Sequence, residues 1–412
     1  MSAKENDADI LHREYLRRER ELAPQSRVGS ILLTVIFCVI LGGGAILHLI
    51  TPDREYSEAE NRRLQTLPEF SLESLASGKY TSEVTKYLSD QFPARDAFVT
   101  LKAASETALL RRENGRTMIS GDWLVARNDY PSRDNLGVNA DAAEKFAAAL
   151  GSRGIPTVAA IAGRTADVAA AHLPALYGTA AQDELWRDIN SAFSGFGGTY
   201  LNLRDTVADR LSAGEDVVFR TDHHWNALGA YYAYRAIMEA LPESAVAGMT
   251  PRGIDYFTRE CVTEEFYGTS YSKSGASWVA PDKIELFRFP GDENLTVTVA
   301  DTGESHTGLY YTDYLSVRDK YSVFLGENAG RVDITGEGER PKIVLVKDSF
   351  AQSVAPFFAA DFDVVLIDPR YFSAPVYTTV IEENAAAVVI LMNADTFTSS
   401  PVLRALPRGT DR

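Results

Sequence analysis

The hydrophobic positions of this 412-residue chain fall into three textures. From Val28 to Ile50 there are 23 residues without a charge, rich in Ile, Leu and Val and closed by Thr51-Pro52-Asp53. That length matches the hydrocarbon core of a bilayer and exceeds the usual run of a signal peptide. The pattern therefore predicts a transmembrane anchor over 28–50 behind a tail at 1–27. Residues 51–80 are polar and irregular and lead into helical patterns. One of these opens at Arg95-Asp96 and carries Phe98, Leu101, Ser105 and Leu109 at spacings of three and four, predicting a packed stalk or cap over 51–135.

Beyond 136 the texture alternates. Ala142–Leu150 has helical spacing, Thr157–Ile161 and Tyr200–Leu203 are short strands, and 255–335 is rich in Thr, Ser, Gly and Tyr, as in a loop-rich insertion. Ile343–Val346, Val364–Ile367 and Val388–Leu391 are four-residue apolar runs about 20 residues apart, each followed by polar residues. Such runs predict parallel strands buried on both faces, hence an α/β domain over 136–412. Ligands of these sheets bind beyond the carboxyl ends of the strands, which here means Asp348-Ser349 and Asn393.

Charge and composition narrow the function. A net charge of −16 supplies no basic face for phosphates and excludes a nucleic-acid binder. The two cysteines, Cys38 inside the apolar run and Cys261 far from it, offer neither a disulfide framework nor a Cys-based zinc site. Near the apolar run, five arginines precede it (Arg13, Arg17, Arg18, Arg20, Arg27) and three follow (Arg54, Arg62, Arg63). That bias predicts a cytoplasmic N-terminus and an extracytoplasmic main domain.

Candidate chemistry centres on Thr221-Asp222-His223-His224-Trp225-Asn226, which runs into a helix bearing Ala230, Tyr231, Tyr234, Ile237, Met238 and Leu241 and stopped by Pro242. A carboxylate two residues before an imidazole can orient the ring and leave its far nitrogen free as a base. Ser349 follows a strand and precedes a helical pattern, where an exposed nucleophile and backbone oxyanion donors combine readily. Asn393, after a later strand, can present its amide to a developing oxyanion. The bland alternatives are a helix capped by Asp222 with packed histidines, a metal bound by adjacent Asp and His, and an ordinary helix-start serine.

The order strand, Asp348-Ser349, strand, strand, Asn393 resembles the first three blocks of SGNH hydrolases, and Asp222-His223-His224-Trp225-Asn226-Ala227-Leu228-Gly229 resembles their last block. Here the last block precedes the serine. This is the circularly permuted order of the AlgX/AlgJ-like alginate O-acetylation proteins, and the chain looks more closely like the DHHW family. The likeness extends through Glu60-Asn61-Arg62, Asp90–Asp96, Ser270–Gly275, Lys320-Tyr321, Phe324–Asn328, Lys347–Phe350 and Asp368–Tyr371. It implies an SGNH-like, flavodoxin-like three-layer fold with Asp222, His224 and Ser349 as a catalytic triad, and no cofactor or metal. It further implies a polysaccharide substrate and a multispan membrane acyltransferase as acetyl supplier. Lys347 and Asp368-Pro369-Arg370 stand where SGNH hydrolases carry glycine, so Arg370 and Asn328 join Asn393 as oxyanion or substrate candidates. An O-acetyltransferase, an acetyl esterase using the same triad, and an inactive glycan-binding or assembly protein are the three readings left open.

Overall fold

The computed structural model describes residues 2–410 except 112, 116, 127–130, 175, 176, 178 and 247, without the side chains of 2–8, 19–26 and 171. The Arg20 side chain counted above lies outside the described residues. By internal contacts the chain divides into two units, one of residues 1–57 and 62–98, the other of 58–61 and 99–412.

The first unit begins with helix α1 (Ser2–Ile50), whose Arg27–Ile50 portion is apolar and long enough to cross a membrane, with a mean hydropathy of 2.6 and no buried residue in its most apolar window. A signal sequence near an N-terminus has the same composition. The stretch read as irregular after it contains a two-residue strand pair, Tyr56–Ser57 with Arg62–Arg63, and helix α2 (Leu72–Ala76), capped by Ser71. Helix α3 (Lys79–Asp90) follows, and α4 (Arg95–Ala108) continues into the second unit. On α4 the stripe expected to pack does not: Phe98, Leu101 and Leu109 are exposed, and Ala103 is the buried residue. Spacing identifies an amphipathic face but not what covers it.

The second unit is built on an eight-stranded sheet. In chain order its strands are β1 (Thr157–Ala162), β2 (Thr199–Asn202), β3 (Thr296–Val299), β4 (Glu304–Thr307), β5 (Arg331–Thr335), β6 (Lys342–Lys347), β7 (Asp363–Ile367) and β8 (Ala387–Asn393). Their spatial order is β4-β3-β5-β7-β6-β8-β1-β2. From β7 to β2 all neighbours are parallel, and β5, β3 and β4 add an antiparallel edge. Part of the 255–335 segment is thus no appendage, because β3, β4 and β5 belong to the main sheet; their short sequences, polar or alternating, hide them from a search for apolar runs.

The apolar runs serve two cores at once. Ile343 and Leu345 of β6 face one layer, with Val207 and Leu211 and the helix Ala227–Ala240. Val344 and Val346 face the other, with Phe146, Leu150 and Trp186. A slip of one residue would exchange the two faces, so burial on both sides fixes the register. In that register Lys347 sits opposite Leu391 and Asn393 opposite Ala162, so the loops after β6, β8 and β1 emerge at one rim.

Candidate active site

The Asp222–Asn226 loop is held from three directions. Val218 and Trp225 form an isolated bridge. Asp282 Oδ2 accepts from the Thr221 amide (2.8 Å) and hydroxyl (2.6 Å). Beyond β1, Thr165 donates its amide to His223 O (3.1 Å) and its hydroxyl to Asp222 O (2.9 Å). The helix that follows is capped by Asn226, whose Oδ1 accepts from the Leu228 and Gly229 amides. Asp222 is therefore not the cap, and its carboxylate is left for the imidazole.

Residues far apart in sequence meet here. Asp222 Oδ1 lies 2.6 Å from His224 Nδ1, and His224 Nε2 lies 2.8 Å from Ser349 Oγ. Asp222 Oδ1 also accepts the His224 amide (3.0 Å), while Oδ2 accepts the Thr269 amide (2.7 Å) and hydroxyl (3.0 Å). Burial alone would raise this carboxyl, yet the neighbouring imidazoles, the His224 bond and the Thr269 amide hold it well below the usual range, so it stays ionised. Gly268 is required by this approach: a Cβ there would come within 2.3 Å of Asp222 Cβ and 2.5 Å of Oδ2.

His224 stacks on Tyr321, with ring centroids 4.1 Å apart and planes at 10°. Burial pushes the Tyr321 phenol up, so it stays protonated, and it donates to Ser349 O at 3.3 Å. His223 points to Thr269 Oγ1 (2.8 Å) rather than to Ser349. Burial, then the His224 charge, push its imidazole down to about 3, so it is neutral over the physiological range. The ligand atoms of Asp222, His223 and His224 lie within 4.8 Å of one another, as a metal trio could. However, the 2.6 Å separation of Oδ1 and Nδ1 is that of a hydrogen bond, and two ligands about 2.0 Å from zinc at tetrahedral angles stand farther apart.

The nucleophile turn is equally fixed. Asp348 is fully buried; its Oδ1 accepts the Phe350 amide (3.0 Å), and its Oδ2 accepts the Asn393 amide (2.8 Å) and side-chain Nδ2 (2.5 Å). Trp225 Nε1 reaches Phe350 O (3.1 Å) and Ser353 Oγ (3.0 Å), tying the histidine loop to the turn that carries Ser349.

Three further candidates are placed less simply. Asn393 Nδ2 donates to Asp348 and to Thr396 Oγ1 (2.8 Å), so both its protons are engaged within the protein. A buried carboxylate needs donors, and Asp348 claims this one. Asn328 Oδ1 accepts from Lys347 Nζ (3.0 Å), an ammonium buried where a glycine was expected. Arg370 forms a two-point pair with buried Asp368 (2.8 and 2.6 Å), and Asp368 is also 3.6 Å from Lys347. Sequence reasoning passed over Thr269, Gly268, Trp225 as a clamp, and Arg164, whose buried guanidinium joins Asp167 and Asp395 beyond β1 and β8. Tyr321 stood in a motif already singled out, whereas Gly268-Thr269 carries no periodic or compositional signal.

Residues 120–293 match the family model described as the SGNH hydrolase-like domain of acetyltransferase AlgX. Residues 60–134 match the DHHW protein model. By sequence the chain matches none of the curated proteins. Among solved structures it is similar to a DHHW family protein from Eubacterium siraeum, with a TM-score of 0.56, 20% identity, and coverage of 68% of this chain and 90% of that one. It is also similar to Bacillus cereus PatB1 with a sulfonyl adduct, with a TM-score of 0.55, 18% identity, and coverage of 68% and 95%. The chain is thus a mixed α/β, SGNH hydrolase-like protein in the permuted order, resembling the DHHW proteins and the AlgX-type domain.

Proposed function

We propose that this chain is an acyl-transfer enzyme that acetylates hydroxyls of a cell-surface or secreted polysaccharide through Ser349, His224 and Asp222. The observation that carries the reading is the continuous relay from Asp222 Oδ1 to His224 (2.6 Å) and from His224 to Ser349 Oγ (2.8 Å). The likeness to the AlgX acetyltransferase domain supports acyl transfer as the class of reaction.

In the first half-reaction Ser349 Oγ gives its proton to His224 Nε2 and bonds to the acetyl carbon; the bond from that carbon to the donor breaks, and the leaving group takes the proton from His224. In the second, a sugar hydroxyl gives its proton to His224, attacks the acetyl carbon, and Ser349 leaves with the proton returned. Asp222 stabilises the imidazolium in both. The Ser349 amide, which donates to no acceptor among the described residues, is the oxyanion donor in this reading, with Asn328 and Arg370 at the rim. Residues 28–50 anchor the chain with 1–27 cytoplasmic. Residues 51–135 form a helical stalk or cap region, and the domain over 136–412 works outside the membrane, where a multispan acyltransferase presents the acetyl group.

The test is turnover of an activated acetyl ester with and without acetyl-free glycan. Acetylated glycan should form, and Ser349→Ala should abolish it. Transfer unchanged in Ser349→Ala would sink the mechanism. Ester hydrolysis indifferent to glycan, with no acetylated product, would make the chain an esterase with the same triad.

A further inference from the structure

Among its described residues the first unit lacks an apolar core. Among its described residues from 51 to 98, Leu64 is the one buried apolar side chain, while Leu67, Phe70, Leu72, Leu75, Leu88 and Phe92 are 44–77% exposed. Exposed apolar groups in this density mark a surface that something covers. The segment is nonetheless firmly joined to the end of the apolar span. On α3 the Tyr87 ring lies 5.9 Å from His48, two residues before the span ends, and its phenol donates to Asp53 (3.0 Å). Gln91 accepts the Arg54 amide and donates to the Arg54 carbonyl, each at 2.9 Å.

Helix α3, about 18 Å long, is thereby fixed by its C-terminal end at the boundary of the span. Along it, Tyr80, Val84, Tyr87 and Leu88 form one stripe. Tyr80 meets Phe70 edge to face at 5.2 Å, which extends the stripe to the residues around α2.

We propose that residues 67–92 form a collar lying in the membrane interface beside the anchor, with the apolar side chains around α2 and α3 sunk into the headgroup and upper acyl region. The occupant is lipid, because the face is continuous with the one segment among the described residues that is long and apolar enough to cross a bilayer, and because Tyr and Phe at the end of a span suit that depth. Lys79 and Lys86 are outnumbered by Glu69, Glu73, Glu83 and Asp90, so apolar insertion rather than attraction to anionic lipid drives the contact. The inference rests on reading α1 as a membrane anchor.

To test it, Leu72→Trp and Leu88→Trp are introduced separately into the full chain, reconstituted in phosphatidylcholine vesicles with or without bromine on the upper acyl chains. The emission of the unsubstituted chain, with its four tryptophans, is subtracted. The expected result is a blue-shifted added emission, quenched by brominated lipid and unchanged by salt. Vesicles that keep the protein through an alkaline carbonate wash while the added emission stays unquenched would overturn the collar and leave the anchor standing; that outcome would assign the face to a protein surface. Loss of the protein in the wash would overturn the anchor, and the collar with it.

Discussion

Replacing Asp222 by Asn keeps the shape of the side chain and removes its charge, so the consequences can be worked from the four bonds it makes. Oδ1 receives the His224 amide and Nδ1; Oδ2 receives the Thr269 amide and hydroxyl. An amide nitrogen in the Oδ2 position faces the Thr269 N–H, leaving a buried donor unpaired at a cost of about 1–3 kcal/mol. In the Oδ1 position it faces the His224 N–H and turns the imidazole to the other tautomer, placing a proton on Nε2 against Ser349. That ring cannot accept the serine proton, and the corresponding change in a serine protease lowers kcat by about 10⁴. Both orientations also lose the charge opposite the imidazolium. Asp222→Asn should therefore lower kcat on an acetyl ester by about 10³–10⁴ with a small change in melting temperature. Steady-state kinetics beside a thermal melt would decide, and a folded variant within about tenfold of the parent would refute the relay.

Four further outcomes follow from the same geometry. Gly268→Ala should fold but lose activity through displacement of Asp222, most visibly in kcat rather than KM, since its Cβ would meet Asp222 Cβ at 2.3 Å. His223 takes a proton in the unfolded chain below its ordinary 6.5 but in the folded chain only near 3, so stability should fall as pH drops through that window; His223→Asn should flatten this limb in acid denaturation while leaving the acid limb of the activity profile in place. Lys347→Met should cost about 3 kcal/mol in chemical denaturation, the low end for a broken buried pair, because Asp368 keeps Arg370. Arg62 holds the Asp90 carboxyl down to about 2, so the pair stabilises above the ordinary carboxyl value and is lost as pH falls through 2; Arg62→Ala should remove at most about 2 kcal/mol, less for its partial exposure, read as faster hydrogen exchange at the Gln65 amide that Asp90 accepts.

The sheet was legible where burial on both faces writes continuous apolar runs, as in Ile343–Val346, and obscure where the short, polar or alternating β3 and β4 pair at an edge. His224 and Ser349 could be paired because a base-and-carboxylate motif and a strand-to-helix serine each have local signatures. The oxyanion donors could not, because a sequence places Asn393 at the right strand end without saying whether its protons go to substrate or to Asp348. The stripe on α4 was readable as a face, but its exposure depends on what lies opposite, which no spacing encodes.

The most direct measurement is the site of acylation. Mixing the protein with an activated acetyl ester, quenching in acid and mapping the peptides by mass should find one acetyl group on Ser349, absent when His224 is changed to Ala. Turnover of the ester with Ser349 unmodified, or with the acetyl group carried by another side chain, would contradict the account.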